Sequence, residues 1–232
     1  RHLPWYLLAA KALAGSGIRI LMHGGGLHTA GRLYSEQLLE MLEIPLCSDW
    51  PGVTDALEQQ KLAFIPLGCW MPELQRMIDL RNILGLRSPI HSLARILNPL
   101  QARCGLQSIF HPGYQAVHRD ASQLLGDNAI VIKGEGGEIE INPDSACQLL
   151  GSSAQGVWTE GWPATSAQRH VKPERLEPEK LLAVWHGQAT DDYALQAVTG
   201  TMALALRGLG HSREQALEQA RVIWDKRLNR QT

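Results

Sequence analysis

The sequence predicts an α/β protein, a mostly parallel sheet flanked by helices, and three observations point there. Short unbroken apolar runs alternate with segments of helical periodicity, the pattern of strands buried on both faces between covering helices. With 44% hydrophobic and 19% charged residues in 232, the composition is that of an ordinary folded protein and excludes wholesale disorder. The longest apolar run, Leu7 to Ala14, is interrupted by Lys11 and falls far short of the ~20 residues that a membrane span requires.

The elements follow in order. Apolar residues at helical spacing from Leu3 to Leu13 predict a helix that stops at Gly15 and Gly17. Ile18 to Met22 predicts a buried strand closed by the loop His23-Gly24-Gly25-Gly26. A helical pattern over Glu36 to Leu42 comes next, then turns around Ser48 to Pro51, then a second buried strand, Leu62 to Leu67. Pro72 suits a first helical turn, and periodicity through Leu74, Met77, Ile78 and Arg81 runs to Gly85. A short helix is expected over Ser88 to Leu97, broken by Asn98-Pro99. Gln107 to Phe110 and Ala129 to Lys133 read as strands, with a helix from Gly113 to Leu125 between them. Glu138-Ile139-Glu140-Ile141 alternates at period two and predicts a half-exposed strand. From Gly151 to Glu179 the glycines, prolines and tryptophans predict irregular structure. Three helices close the chain, Glu179 to His186, Asp191 to Leu209 and Ser212 to Leu228, the last opened by a capping box of Ser212 and Gln215.

Charge and cysteine usage narrow the function classes. Formal net charge is −1, against wholesale nucleic-acid affinity, yet five arginines between Leu74 and Cys104 (Arg76, Arg81, Arg87, Arg95, Arg103) face only Asp79 as a local acid. That stretch fits either an anion-facing patch or a solvated helix face. Cys47, Cys69, Cys104 and Cys147 have neither CxxC spacing nor the density of a secreted scaffold, so they read as buried, reduced thiols of a cytoplasmic protein. The chain opens at Arg1-His2-Leu3-Pro4-Trp5 with no initiator methionine and no signal peptide, and residues are expected before Arg1.

The candidate binding residues cluster at predicted strand ends. His23 closes a buried strand, where doubly wound sheets place ligands, although a hydrogen-bonded structural histidine fits the position too. Gly24, Gly25 and Gly26 fit a backbone approach to phosphate or a plain turn. His111-Pro112-Gly113 opens a predicted helix whose amides would suit an anion.

The stretch Leu80-Arg81-Asn82-Ile83-Leu84-Gly85-Leu86-Arg87-Ser88-Pro89-Ile90-His91, continuing to Leu97-Asn98-Pro99-Leu100, resembles a block of the anthranilate phosphoribosyltransferase family. His23-Gly24, His111-Pro112, Val131-Ile132-Lys133-Gly134 and the helices opened by Gly187 and Asp192 match in the same chain order. The resemblance implies the large α/β domain of the nucleoside phosphorylase/phosphoribosyltransferase fold over residues 1–232. Residues 71–100 would pack as part of a small helical domain, most of which would precede Arg1 together with a glycine-rich diphosphate loop. It also implies a homodimer that binds a phosphorylated sugar such as 5-phosphoribosyl diphosphate with magnesium (Mg2+). A diphosphate leaving group calls for a metal, backbone amides and cations to stabilise its charge.

Carried over residue by residue, the resemblance makes His23, Gly24, Gly25, Arg81, Arg87 and His111 substrate-binding residues and Glu138 the metal ligand. Arg81 matches an arginine that contacts the acceptor's carboxylate. The family's Lys-His-Gly-Asn run is Met22-His23-Gly24-Gly25 here, and its Asp-Glu magnesium pair falls on Glu138 and Ile139. Those losses argue against anthranilate as acceptor and weaken magnesium to one carboxylate, helped by Glu140 or Glu135. No catalytic side chain is assigned. Two alternatives come from other classes: a transferase acting on a different phosphorylated sugar or nucleoside, since the same fold also serves pyrimidine nucleoside phosphorylases, and an inactive relative binding nucleic acid through an arginine-rich groove. The second lacks an aromatic stacking platform beside the arginines.

Overall fold

The computed structural model describes residues 2–25, 33–86, 88–134 and 138–228. The chain divides into two compact units, one formed by 10–97 and the other by 1–9 with 98–232.

Helix α1, Tyr6–Gly15, begins in the larger unit and runs into the smaller. In the smaller unit, β1, Ile20–Gly24, and β2, Leu62–Pro66, pair in parallel from Ile20↔Leu62 to Gly24↔Pro66. Helix α2, Trp50–Gln59, connects them. The Asp49 carboxylate caps it by accepting the Gly52 N–H at 2.8 Å, and Pro51 occupies the first turn, where no amide donor is needed. Val53 and Ala56 of α2 pack with Cys47, Ala63 and Ile65 as an apolar core. Phe64 donates its N–H to Pro45 O and accepts from Cys47 N, both at 2.8 Å, so a short bridge extends this sheet beside β2.

Four short helices follow: α3, Leu67–Trp70; α4, Pro72–Asp79; α5, Arg81–Leu84; and α6, Ile90–Leu93. Pro72 starts α4 as expected, but the predicted continuous helix breaks at Leu80. Gly85 ends α5 in the left-handed region, φ 69°, where a side chain would be strained, and donates its N–H to Arg81 O. The helix expected over 36–42 is a 3₁₀ turn, Ser35–Leu38, and β1 lies two residues later than the apolar run suggested.

In the larger unit the sheet order is β3-β4-β5-β6. β3, Gly105–Ser108, and β4, Ala129–Ile132, pair in parallel, with α7, Gln115–Leu124, between them in the chain. β5, Cys147–Ser153, runs antiparallel to β4, and β6, Gly156–Trp162, returns antiparallel to β5. The α/β class holds. The hairpin β5–β6 adds two antiparallel pairs to the two parallel ones among the described residues, and it occupies part of the stretch expected to be irregular. Gly151 sits opposite Trp158, whose indole takes the space a Cβ would need, so a glycine that reads as a loop signal is a cross-strand contact. Helices α8, Glu179–Trp185, α9, Asp192–Gly208, and α10, Arg213–Asp225, complete the unit, and Ser212 with Gln215 forms the predicted capping box. None of the described helices is long and apolar enough to cross a membrane.

Residues 138–141 are not the expected half-exposed strand. Glu140 and Ile141 are both buried, at 2% and 5% exposure. A Glu140 carboxylate oxygen accepts the Tyr6 N–H at 2.9 Å at the start of α1, and Ile141 donates its N–H to Thr201 Oγ1 at 3.0 Å. All four cysteines are free thiols, but Cys69 is exposed, against the expectation of uniform burial.

Candidate binding segment at the end of β1

His23, the penultimate residue of β1, faces a low-polarity surrounding. Burial pushes its pKa down, a tendency only partly opposed by a hydrogen bond to the Leu97 carbonyl, and the ring is therefore neutral at pH 7. A carbonyl can only accept, so the Nε2 at 3.1 Å from Leu97 O carries the proton and leaves Nδ1 with a lone pair. The ring meets Trp70 edge-on at 5.8 Å between centroids, and Trp70 meets Trp50 in the same manner at 5.5 Å. Three aromatic rings thus run from the end of β1 to the half-exposed start of α2.

Gly24 and Gly25 are glycines for a packing reason visible at each. A Cβ on Gly24 would come within 3.2 Å of the Phe64 ring, and one on Gly25 within 3.0 Å of Ile78 Cδ1 and 3.5 Å of Gln75 Oε1. The backbone after β1 can therefore lie directly against α4. Gly26 and Arg87 fall outside the described residues. Arg81 opens α5 in this same unit and is partly exposed. The neighbouring Arg76 is engaged by Glu73 at 3.0 Å, so the arginine stretch is not a row of uncommitted cations.

Two polar atoms beside this segment have no partner. Trp70 Nε1, a donor, and Gln75 Oε1, an acceptor, are both buried and unbonded. Leaving such an atom unpaired costs about 1–3 kcal/mol. The Gln75 amide has a defined orientation, because its Nε2 donates to Asp79 Oδ1 at 2.8 Å and the reverse orientation would set oxygen against oxygen. Neither residue is marked by periodicity or by a motif, and no sequence signal could have singled them out.

The other two candidate residues lie in the larger unit. His111 is exposed, its ring edge-on to Phe110 at 5.0 Å, and it precedes a 3₁₀ turn, Pro112–Tyr114, rather than the α-helix itself. Since α7 begins at Gln115, the amides of His111 and Gly113 are not its N-terminus as the sequence suggested. Glu138 lies close to the end of β4, since a Cβ on Gly134 would overlap the Glu138 carbonyl and Ser108 Oγ. Glu135 lies outside the described residues, and the Glu140 carboxylate is engaged at Tyr6. Among the described residues no three His, Cys, Asp or Glu side chains converge.

A polar face beneath α7 was not among the sequence-based expectations. His118 Nδ1 donates to Gln107 Oε1 at 3.0 Å, and Gln107 Nε2 donates to Ser122 Oγ at 2.9 Å, with all three residues buried. Gln115, His118 and Ser122 have helical spacing, the signal that could have revealed it.

No protein-family model matches the chain. Anthranilate phosphoribosyltransferase of Synechococcus sp. (strain RCC307) is 27% identical over 220 residues, which is 93% of this chain and 60% of that protein. Among solved structures, anthranilate phosphoribosyltransferase from Saccharomyces cerevisiae in complex with 4-fluoroanthranilate matches at a TM-score of 0.70 and 14% identity, covering 97% of this chain and 64% of that one. The same enzyme in complex with PRPP and Mg matches at 0.66 and 14%, covering 95% and 64%. This chain therefore spans about six tenths of the length of these relatives.

Proposed function

This chain is anthranilate phosphoribosyltransferase-like in sequence and in fold, and on that premise we propose that it carries the α/β portion of a glycosyltransferase. The reaction moves a ribosyl or phosphoribosyl group from a phosphorylated sugar, such as 5-phosphoribosyl diphosphate, to an acceptor substrate other than anthranilate. The observation that carries the reading is the match over 93% of the chain. Met22 and Gly25, where the family has lysine and asparagine, are what turn it away from anthranilate.

In this reading the bond from the sugar's anomeric carbon to a diphosphate oxygen breaks as the acceptor's nucleophile bonds to that carbon. The chain contributes position and charge. Gly24 and Gly25 lend backbone, Arg81, Arg87 and His111 bind anionic groups, and neutral His23 presents a lone pair in place of a second cation. Magnesium would neutralise part of the charge of the diphosphate, and Glu138 is the carboxylate that would hold it. A homodimer and a cytoplasmic location belong to the same proposal. The alternative, an inactive nucleic-acid binder, would show steep loss of affinity with salt as phosphate contacts give way to counterions.

Calorimetric titration of the full-length protein with 5-phosphoribosyl diphosphate, with and without magnesium, tests the reading. Magnesium-dependent binding in the micromolar range, about −8 kcal/mol, is expected. An absence of heat under both conditions refutes phosphoribosyl transfer.

A further inference from the structure

β6 closes the sheet order, so among the described residues only the edge that faces β5 is paired. A seven-residue strand in that position presents a row of backbone N–H and C=O groups about 24 Å long, a template for another strand. Folded proteins usually blunt such an edge with a lysine, a proline or a bulge. From Gly156 to Trp162 β6 has none of these. Its pairing with β5 is continuous over all seven residues, and Val157, Thr159 and Gly161 are exposed and uncharged.

The other face of the strand selects the partner. Trp158, Glu160 and Trp162 alternate with the exposed three. Arg207 of α9 lies over the Trp158 ring at 4.8 Å and donates its Nε–H to Glu160 Oε2 at 2.8 Å, while Trp162 Nε1 donates to Glu160 Oε1 at 2.7 Å. The described residues give the two terminal nitrogens of Arg207 no acceptor, and the side chain stays 28% exposed. A strand that set a carboxylate opposite Trp158 would complement this guanidinium. β6 is itself such a strand. Turned through a twofold axis at Thr159, its central residue, an antiparallel copy sets Thr159 against Thr159, Val157 against Gly161 and Trp158 against Glu160. The Glu160 of each copy then stands opposite the ring that Arg207 of the other copy covers, and no charged residue of the strand directly faces its own like.

We infer that the outer edge of β6 is an interface between two copies of this chain, joining their four-stranded sheets into one continuous sheet. The contact is isologous and closes on itself, because each copy carries one β6 edge. It does not depend on the transferase reading. A contact one strand long sits at the small end of protein interfaces, and concentration-dependent association in the micromolar range is expected.

Sedimentation equilibrium of the full-length protein and of Thr159→Lys reads the association. The lysine sets like charges opposite each other at the twofold axis and should weaken association about tenfold, with the melting curve of the dilute protein unchanged because Thr159 is exposed. Val157→Lys, on the same exposed face, takes its place if Thr159→Lys does not fold. A covalent trap gives a second readout. Cys69 is exposed and is first replaced by serine. In that background Thr159→Cys should form a disulfide-linked dimer on mild oxidation, since directly opposed strand residues stand about 4.5–5.5 Å apart between Cα atoms, within disulfide reach. A wild type that stays monomeric at every concentration, association untouched by the lysine substitution, or no covalent dimer from Thr159→Cys would each overturn the inference.

Discussion

Replacing Glu140 with alanine separates a structural carboxylate from a metal-binding one. The side chain is 2% exposed and accepts the Tyr6 N–H at 2.9 Å, satisfying a donor at the start of α1 that the helix itself cannot pair. A hydrogen bond from a buried amide to a charged group contributes about 1.5–3 kcal/mol, and a helix cap about 0.5–2 kcal/mol. Both figures describe the one contact and do not add, so Glu140→Ala should destabilise by about 2–3 kcal/mol. At about 2–4 °C per kcal/mol for a chain of this size, the melting temperature falls by about 4–12 °C. Glu140→Gln keeps an accepting oxygen in place and should lose less than half of that. Thermal melts followed by far-ultraviolet circular dichroism measure both variants. The reasoning is refuted if Glu140→Ala melts with the wild type while magnesium-dependent donor binding is lost, because the carboxylate would then serve a metal rather than a helix.

Three further outcomes are expected. Gly134→Ala drives a methyl group into the Glu138 carbonyl and Ser108 Oγ, and should cost about 1–3 kcal/mol in urea unfolding. Burial opposes ionisation of Asp144, but the side-chain and backbone hydrogen bonds from His170, with the charges of His170 and His2, outweigh it and hold this carboxyl below its usual pKa. A depressed folded-state pKa contributes stability that is present above the unfolded carboxylate value and lost as pH falls through the folded one. Urea midpoints measured from pH 6 down to pH 2 should therefore decline less steeply for Asp144→Asn than for the wild type, and equal slopes would refute the pairing. Thiol titration with a chromogenic disulfide at pH 8 should modify exposed Cys69 first. Burial pushes the Cys104 thiol to about 12 and the Cys147 thiol to about 11, leaving little thiolate on either to react.

How much of this was readable beforehand depends on the range of the interaction involved. β2 and β4 stand within a residue or so of the apolar runs that announced them, and α10 starts at its capping box, because burial pattern and cap are written within a few adjacent residues. The β5–β6 hairpin was hidden, since Gly151 is a loop signal until Trp158 is placed across from it. Residues 138–141 alternate as a half-exposed strand would, but two of them are buried and hydrogen-bonded to Tyr6 and Thr201, distant in the chain.

The candidate site divides in the same way. His23, Gly24 and Gly25 stand out as candidates because a strand's carboxyl end and a glycine run are local features, whereas Trp70 and Gln75 carry no local mark. The amino-acid sequence by itself determined the α/β class, the positions of the buried strands and the helix caps, all of which depend on neighbours within about a turn or a strand. Only the tertiary structure decided which polar atoms are paired and which are left open. A hydrogen bond such as that of Glu140 to Tyr6, 134 residues apart, exists only once the chain has brought both groups out of water together.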